Sequence, residues 1–296
     1  MPVFLFPGQG SQKAGVTKTF YDASTAARNV LERALPLLPE SVAAVLLEGA
    51  QENLNDTRNA QPVLLCLETA IAAHLSTLGI QATLCAGHSL GEISALTAAG
   101  AIPFEDAVSL VLERARLMSE NVPEGGMAAV FGMAAEEMEP LLSAEVQVAN
   151  YNGPAQTIIS GESEALKSAI AVLKQHGAKR IVPLRVSGPF HSRLMQPAAS
   201  ALETWLKSVP IASPQIPFLS SVSGCIETEP ERIRALLAAQ LCSPVQWTKV
   251  MEQLEGRRAI EVGPGTVLAG LAKRAPKAPH VLPAETPDAC RQLLVQ

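Results

Sequence analysis

Aromatic residues are scarce in this 296-residue chain, at 4%, and charged residues make up only 17%. A core with so few rings must rest on Ala, Leu, Val and Ile. Runs of Lys and Arg interleaved with aromatics are missing and the formal charge is −5, which argues against a nucleic-acid surface. The five cysteines (Cys66, Cys85, Cys225, Cys242 and Cys290) form no C-x-x-C pair. An odd, scattered set excludes a disulfide framework and fits reduced thiols in the cytoplasm. Apolar runs such as 42–47 and 64–75 carry charge or end too soon to span a bilayer. The opening Met1-Pro2-Val3-Phe4-Leu5-Phe6-Pro7 has no basic flank and is broken by proline, which argues against a secretory signal. No internal repeat or low-complexity tract is visible. The expectation is a cytoplasmic globular protein without a membrane partner.

What is present is 48% hydrophobic content in a rhythm of short strands and amphipathic helices. Val3-Phe4-Leu5-Phe6 reads as a central strand, followed by helical patterns over 24–35, 60–78, 92–99 and 104–121. Strands alternating with helices predict an α/β fold with a mostly parallel sheet. Between residues 127 and 186 the order becomes β-α-β-β-α-β, with strands over 127–132, 146–150, 157–161 and 180–186 and helices over 135–142 and 164–176. That order predicts a small ferredoxin-like domain. It is bounded by Pro123-Glu124-Gly125-Gly126 and Ser187-Gly188-Pro189, both suited to hinges. The expected organisation is a large α/β domain over 1–126 and 187–296, interrupted by an insert over 127–186. The large domain resumes with a strand at 216–220, helices near 229–241 and 245–254, a strand at 259–262 and a helix at 266–275.

The most informative segment is Gly87-His88-Ser89-Leu90-Gly91, set between the apolar run Ala82-Thr83-Leu84-Cys85-Ala86 and a helical stretch that stops at Gly100. A G-x-S-x-G between strand and helix is a nucleophile elbow, which makes the large domain resemble an α/β-hydrolase core. The glycines allow a sharp turn, and the turn lifts the Ser89 hydroxyl to a helix N-terminus. There the Leu90 N–H and the helix dipole favour negative charge on a tetrahedral intermediate.

A serine hydroxyl needs a base within hydrogen-bond reach. His74 falls in a helical pattern, His176 before a helix-stopping glycine and His280 in a proline-rich tail. His88 adjoins the serine but is expected to point away from it, with a supporting role in the elbow left open. His191 follows the hinge Ser187-Gly188-Pro189-Phe190, where two domains meet and a cleft is expected. Gly8-Gln9-Gly10, at the carboxyl end of the first strand, offers a second oxyanion donor or a plain turn.

Seven segments carry a wider likeness: Phe6-Pro7-Gly8-Gln9-Gly10-Ser11-Gln12, Gly87 to Glu92, Gly126 to Val130, Asn152-Gly153-Pro154 to Gly161, Val186 to Ser192, Pro244-Val245-Gln246-Trp247, and Glu261-Val262-Gly263-Pro264-Gly265-Thr266-Val267-Leu268. In this order they resemble the malonyl-CoA:acyl-carrier-protein transacylases and the related acyltransferases of polyketide synthases. The resemblance runs nearly end to end. It implies Ser89 as nucleophile, His191 as general base, and Gln9 and Leu90 as the oxyanion hole. It also implies a backbone carbonyl of Gln246 that orients the histidine in place of a carboxylate, with Asn152 near that histidine. Arg114 matches the family arginine that pairs with the free malonyl carboxylate; from the residues alone it reads as a solvated helix charge, with Arg116 a neighbour in register. Phe190 matches the pattern associated with malonyl rather than bulkier units, although Pro189 replaces a more usual Ala. The chain also departs from the family at Ser220-Ser221-Val222-Ser223-Gly224, which lacks an Asn after the first serine.

The implied activity is transfer of malonyl from malonyl-CoA to the phosphopantetheine thiol of an acyl carrier protein, for fatty-acid or polyketide synthesis. No metal or resident cofactor is implied, coenzyme A being carried by the substrate, and the expected state is a monomer. Acyl-thioester hydrolysis, the transacylase subunit of a malonate decarboxylase, and an inactive carrier-docking module are the competing readings.

Overall fold

A computed structural model describes residues 1–120 and 122–295. Asn121, the last residue of the helix expected over 104–121, lies outside them. Among the described residues the chain forms strands β1 (Val3–Phe6), β2 (Cys85–Gly87), β3 (Gly125–Phe131), β4 (Val146–Tyr151) and β5 (Gln156–Glu162). After these come β6 (Arg180–Pro183), β7 (Phe218–Leu219), β8 (Ile226–Glu227), β9 (Arg258–Glu261) and β10 (His280–Pro283). They make two sheets, ordered β10-β9-β1-β2-β7-β8 and β4-β5-β3-β6.

The larger sheet is parallel from β10 to β7, and β8 closes its far edge antiparallel. Its central strand β1 is buried along its length, as a parallel strand covered on both faces should be. Side chains alternate across a strand, so Val3 and Leu5 enter one core with Trp247 and Leu268. Phe4 and Phe6 enter the other, with Leu64, Leu67 and Val111. The helices Thr57–Thr77 and Phe104–Leu117 supply much of that second layer.

The smaller sheet is antiparallel throughout, and with helices Ala135–Met138 and Ser163–Gln175 it completes a β-α-β-β-α-β unit. It too is buried on both faces. Ala128, Val130, Val146 and Ile159 pack under its own helix with Leu166 and Leu173. Met127, Ala129, Ala149 and Ile158 face the core of the larger unit. A backbone bridge locks the two units together: Val245 N–H donates to the Ala149 carbonyl at 2.8 Å, and Tyr151 N–H to the Val245 carbonyl at 2.9 Å.

Several elements differ from expectation. The strand expected over 180–186 ends at Pro183; Leu184 N–H still bonds the Met127 carbonyl at 2.9 Å, after which the chain leaves the sheet. The helix expected over 266–275 spans Val267–Ala272 only. Helices Val16–Ala23, Glu40–Glu48, Gln51–Leu54, Gln196–Leu206 and Pro287–Gln292 have no counterpart in the expected pattern. No helix of the described residues is long and apolar enough to cross a membrane.

Candidate active site

Close backbone approach, more than turn geometry, explains the elbow glycines. A Cβ on Gly87 would lie 2.0 Å from the Gly91 carbonyl oxygen, and one on Gly91 2.1 Å from that of Phe6 in β1. Only glycine lets the helix Gly91–Ala98 start hard against the central strand. The turn leaves Ser89 at φ +53°, a left-handed conformation that side chains adopt at a cost of roughly 1–2 kcal/mol. His191 sits at φ +56°, so two of the proposed catalytic side chains are held in uncommon backbone geometry.

These two strained residues meet: Ser89 Oγ lies 2.8 Å from His191 Nε2. The other imidazole nitrogen, Nδ1, lies 2.8 Å from the Gln240 carbonyl and 3.2 Å from that of Ser243. Carbonyls only accept, so Nδ1 carries the proton and Nε2 is left free to accept from the serine. The imidazole is 4% exposed. Burial, and after it the Arg114 charge, lower its pKa from 6.5 to about 3, against the upward pull of the Gln240 carbonyl. It is therefore neutral at physiological pH, the form a base requires.

Two expectations need correction. The carbonyls on His191 belong to Gln240 and Ser243, not Gln246. The Gln246 carbonyl accepts the first bond of the helix Trp247–Gln253, from Val250 N–H at 3.2 Å, and so is turned along that helix. Asn152 does not reach His191. Its Oδ1 accepts from His88 Nε2 at 2.8 Å, and its Nδ2 donates to Gln156 Oε1 at 3.2 Å. His88 lies edge-on to Trp247, with ring centroids 5.3 Å apart.

Arg114 lies on the inward face of its helix, 2% exposed. Its guanidinium donates to Gln61 Oε1 at 2.6 Å, to Gln240 Oε1 at 2.7 Å and to Ser89 Oγ at 3.3 Å. Among the described residues Nε has no partner, and no carboxylate touches the group. Burial lowers its pKa to about 10, with the Glu92 charge opposing. It remains a cation at neutral pH. Arg116 instead lies on the surface, paired to Glu113 and Glu120 at 2.7 Å each.

Ser89, Leu90, Gln9, Arg114, Phe190 and His191 all line one cavity of about 340 Å³, roofed by Met127 and Ile158 of the smaller sheet. The Gln9 side chain is tied to Thr57 Oγ1 at 3.0 Å. Among the described residues the backbone N–H groups of Gln9 and Leu90 have no acceptor. Larger hollows of about 660 and 610 Å³ lie elsewhere, and neither is lined by a histidine. His74, by contrast, is buried against Ser24 at 2.9 Å, and His176 and His280 are exposed. Among the described residues no group of three or more His, Cys, Asp or Glu is arranged to hold a metal ion.

Gln240 and Glu92 complete the site and had not been singled out from the sequence. Gln240, wholly buried, donates through Nε2 to the Ser89 carbonyl at 3.0 Å and to Glu92 Oε2. Glu92 Oε1 accepts from Ser221 N–H at 2.5 Å. The loop that departs from the family pattern at Ser220–Gly224 thus holds the back of the site through its backbone.

Residues 3–286 match the family described as acyl transferase domain. The chain is 42% identical over 296 residues to the malonyl CoA-acyl carrier protein transacylase of Bacillus subtilis (strain 168), covering 96% of this chain and 93% of that protein. The crystal structure of the acyl-carrier-protein-S-malonyltransferase from Bartonella henselae superposes with a TM-score of 0.94 at 39% identity, over 100% of this chain and 99% of that one. A malonyl-transacylase in complex with a type II PKS acyl-carrier protein superposes with a TM-score of 0.93 at 37% identity, over 99% and 98% of the two chains.

Proposed function

The chain belongs to the acyl transferase domain family, and on that premise we propose that it moves a malonyl group from malonyl-CoA, through an ester on Ser89, to the phosphopantetheine thiol of an acyl carrier protein. The product serves fatty-acid or polyketide synthesis. One observation carries the choice of substrate: a buried guanidinium with no carboxylate partner among the described residues, 3.3 Å from the hydroxyl of an activated serine. A planar, permanently charged fork suits a carboxylate in two-point contact, and malonyl brings one.

The chemistry follows from the hydrogen bonds. His191 Nε2 takes the Ser89 proton as the oxygen attacks the thioester carbon. The Leu90 and Gln9 N–H groups stabilise the resulting oxyanion. His191 then gives the proton to the departing coenzyme A sulfur, which leaves malonyl as a serine ester. In the second half His191 takes the proton of the carrier thiol, whose sulfur attacks the ester, and returns it to Ser89. The Gln240 carbonyl stabilises the imidazolium at each stage and does the work usually given to a carboxylate. Phe190 limits the width of the acyl pocket. The insert over 127–186 serves as a subdomain that roofs the cavity. This reaction calls on no resident cofactor, since the thioester arrives activated. Five unpaired cysteines, three of them buried, suit a cytoplasmic setting.

Intact-protein mass spectrometry after mixing with malonyl-CoA, with carrier protein left out, tests the reading. A single malonyl adduct is expected on the wild type and none on Ser89→Ala. An adduct that persists in the variant would remove Ser89 as the nucleophile.

A further inference from the structure

The buried side chains behind the elbow form a chain of donors and acceptors with one consistent orientation. Glu92, 1% exposed, stands in the first turn of the elbow helix. Its carboxylate accepts from Ser221 N–H and from Gln240 Nε2. The second Gln240 Nε2 hydrogen goes to the Ser89 carbonyl, and Gln240 Oε1 faces Arg114. A flipped Gln240 amide would set its NH₂ against the guanidinium donors and its oxygen against two acceptors. All of these contacts would turn repulsive around a fully buried amide.

We propose that Glu92 is a positioning residue for Arg114, acting through the Gln240 amide, and so sets the preference for a carboxylated acyl group. The proposal rests on the malonyl reading given above. Burial raises the Glu92 pKa while its hydrogen bonds lower it, and both of its oxygens accept N–H bonds; with Arg114 able only to donate, Gln240 presents NH₂ to Glu92 and oxygen to Arg114. That oxygen and Gln61 Oε1 hold the guanidinium from two sides, and a third edge is left towards Ser89 and the acyl group. Glu92 touches neither serine hydroxyl nor imidazole, so its influence falls on how the acyl group is held. The backbone carbonyl that orients His191 belongs to Gln240 but is independent of its side chain.

The test is Glu92→Gln, which keeps the shape and loses the obligatory acceptor. Malonyl-CoA and acetyl-CoA compete for transfer to a carrier protein, and KM and kcat are measured for malonyl-CoA, with wild type, Glu92→Asp and Arg114→Ala alongside. In Glu92→Gln the malonyl-to-acetyl ratio should fall about tenfold or more, through a rise in malonyl KM, with a kcat change several times smaller. Glu92→Asp, which retains a carboxylate, should fall between wild type and Glu92→Gln. A loss shared equally by both acyl groups at unchanged KM marks a merely structural residue and overturns the proposal. If Glu92→Gln does not fold, Gln240→Met carries the same test, since it removes the amide but keeps the carbonyl on His191; an unchanged ratio there also overturns it. A wild type, or an Arg114→Ala variant set against it, that reveals no arginine-dependent preference for malonyl would overturn the malonyl reading itself. A preference intact in wild type and retained in the Glu92 and Gln240 variants would overturn the positioning role alone.

Discussion

A histidine buried beside a guanidinium resists taking up a proton, and His191 is in that position with a pKa lowered to about 3, first by burial and then by Arg114. Below 6.5 the unfolded chain binds a proton that the folded site refuses, so this group's contribution worsens as pH falls from 6.5 towards 3 and is level above that window. Followed by NMR, the His191 ring should stay neutral with the proton on Nδ1 down to about pH 5, and Arg114→Gln should move its titration upward towards the ordinary range. A ring that titrates near 6.5 in both proteins would contradict this account. The pair Ser89 and His191 stood out in the sequence because each lies beside a conformational signal, the Gly-bounded elbow and the interdomain hinge. Arg114 did not stand out from the residues alone. Yet Ala107, Val111 and Arg114 share one buried stripe of their helix, and a charge at an apolar register is a signal that the chain does carry. Gln240 follows Ile233 and Leu237 in the same way. The carbonyl on His191 comes from Gln240 and not Gln246 because a motif fixes which residues are near a site, while the direction of a carbonyl depends on local backbone angles that no motif displays.

Elements near the site differ in whether they depend on glycine, and the contrast can be measured. Gly91→Ala would drive a methyl into the Phe6 carbonyl, and backbone cannot yield cheaply; a loss of about 3 kcal/mol or more in urea unfolding is expected, with the elbow helix forced off β1. Gly270, inside the helix Val267–Ala272, has open space around its Cβ direction, so Gly270→Ala should stabilise by about 0.5–1 kcal/mol. Equal effects at the two positions would show that close approach is not what the elbow glycine serves. The long periodic helices and the β-α-β-β-α-β order were legible because hydrophobic period alone defines them. Helix Glu40–Glu48 was hidden by its nearly continuous apolar run, and Gln196–Leu206 by a proline that in fact occupies its first turn. The strand expected over 216–220 shortens to β7, Phe218–Leu219, while the two-residue β8 is too short to show any period and exists because β7 pairs with it.

At the scale of the whole molecule, the site is a junction, and the strands, turns and helices that converge on it bury the carboxyls of Glu68, Glu92 and Glu261. Glu68, on the inward side of Thr57–Thr77, is fully buried, and among the described residues neither of its oxygens has a hydrogen-bond partner at normal geometry. It faces the turn at Gly263, where an added Cβ would stand 3.3 Å from its Oε1 and 2.4 Å from Pro7 Cγ, so the helix, the β1 loop and the turn after β9 meet at this side chain. Burial raises its pKa well above 4.5; the Ser94 hydroxyl opposes the rise and the nearby Glu261 charge adds to it. Glu261, raised to about 7 by burial, is better served, since it accepts the N–H groups of Leu268 and Ala269 at 2.9 Å. A carboxyl whose folded pKa is raised holds a proton that the unfolded chain releases. Its contribution is therefore intact below 4.5 and is lost as pH rises through the folded value, at about 1.4 kcal/mol for each unit crossed. Glu68→Gln keeps the shape and removes the titration. Urea unfolding of the two proteins should nearly coincide at about pH 4.5, and the variant should become progressively the more stable as pH rises, until Glu68 has ionised. A constant difference across that range would mean that Glu68 does not change its protonation on folding, and that the junction beneath the site tolerates its charge.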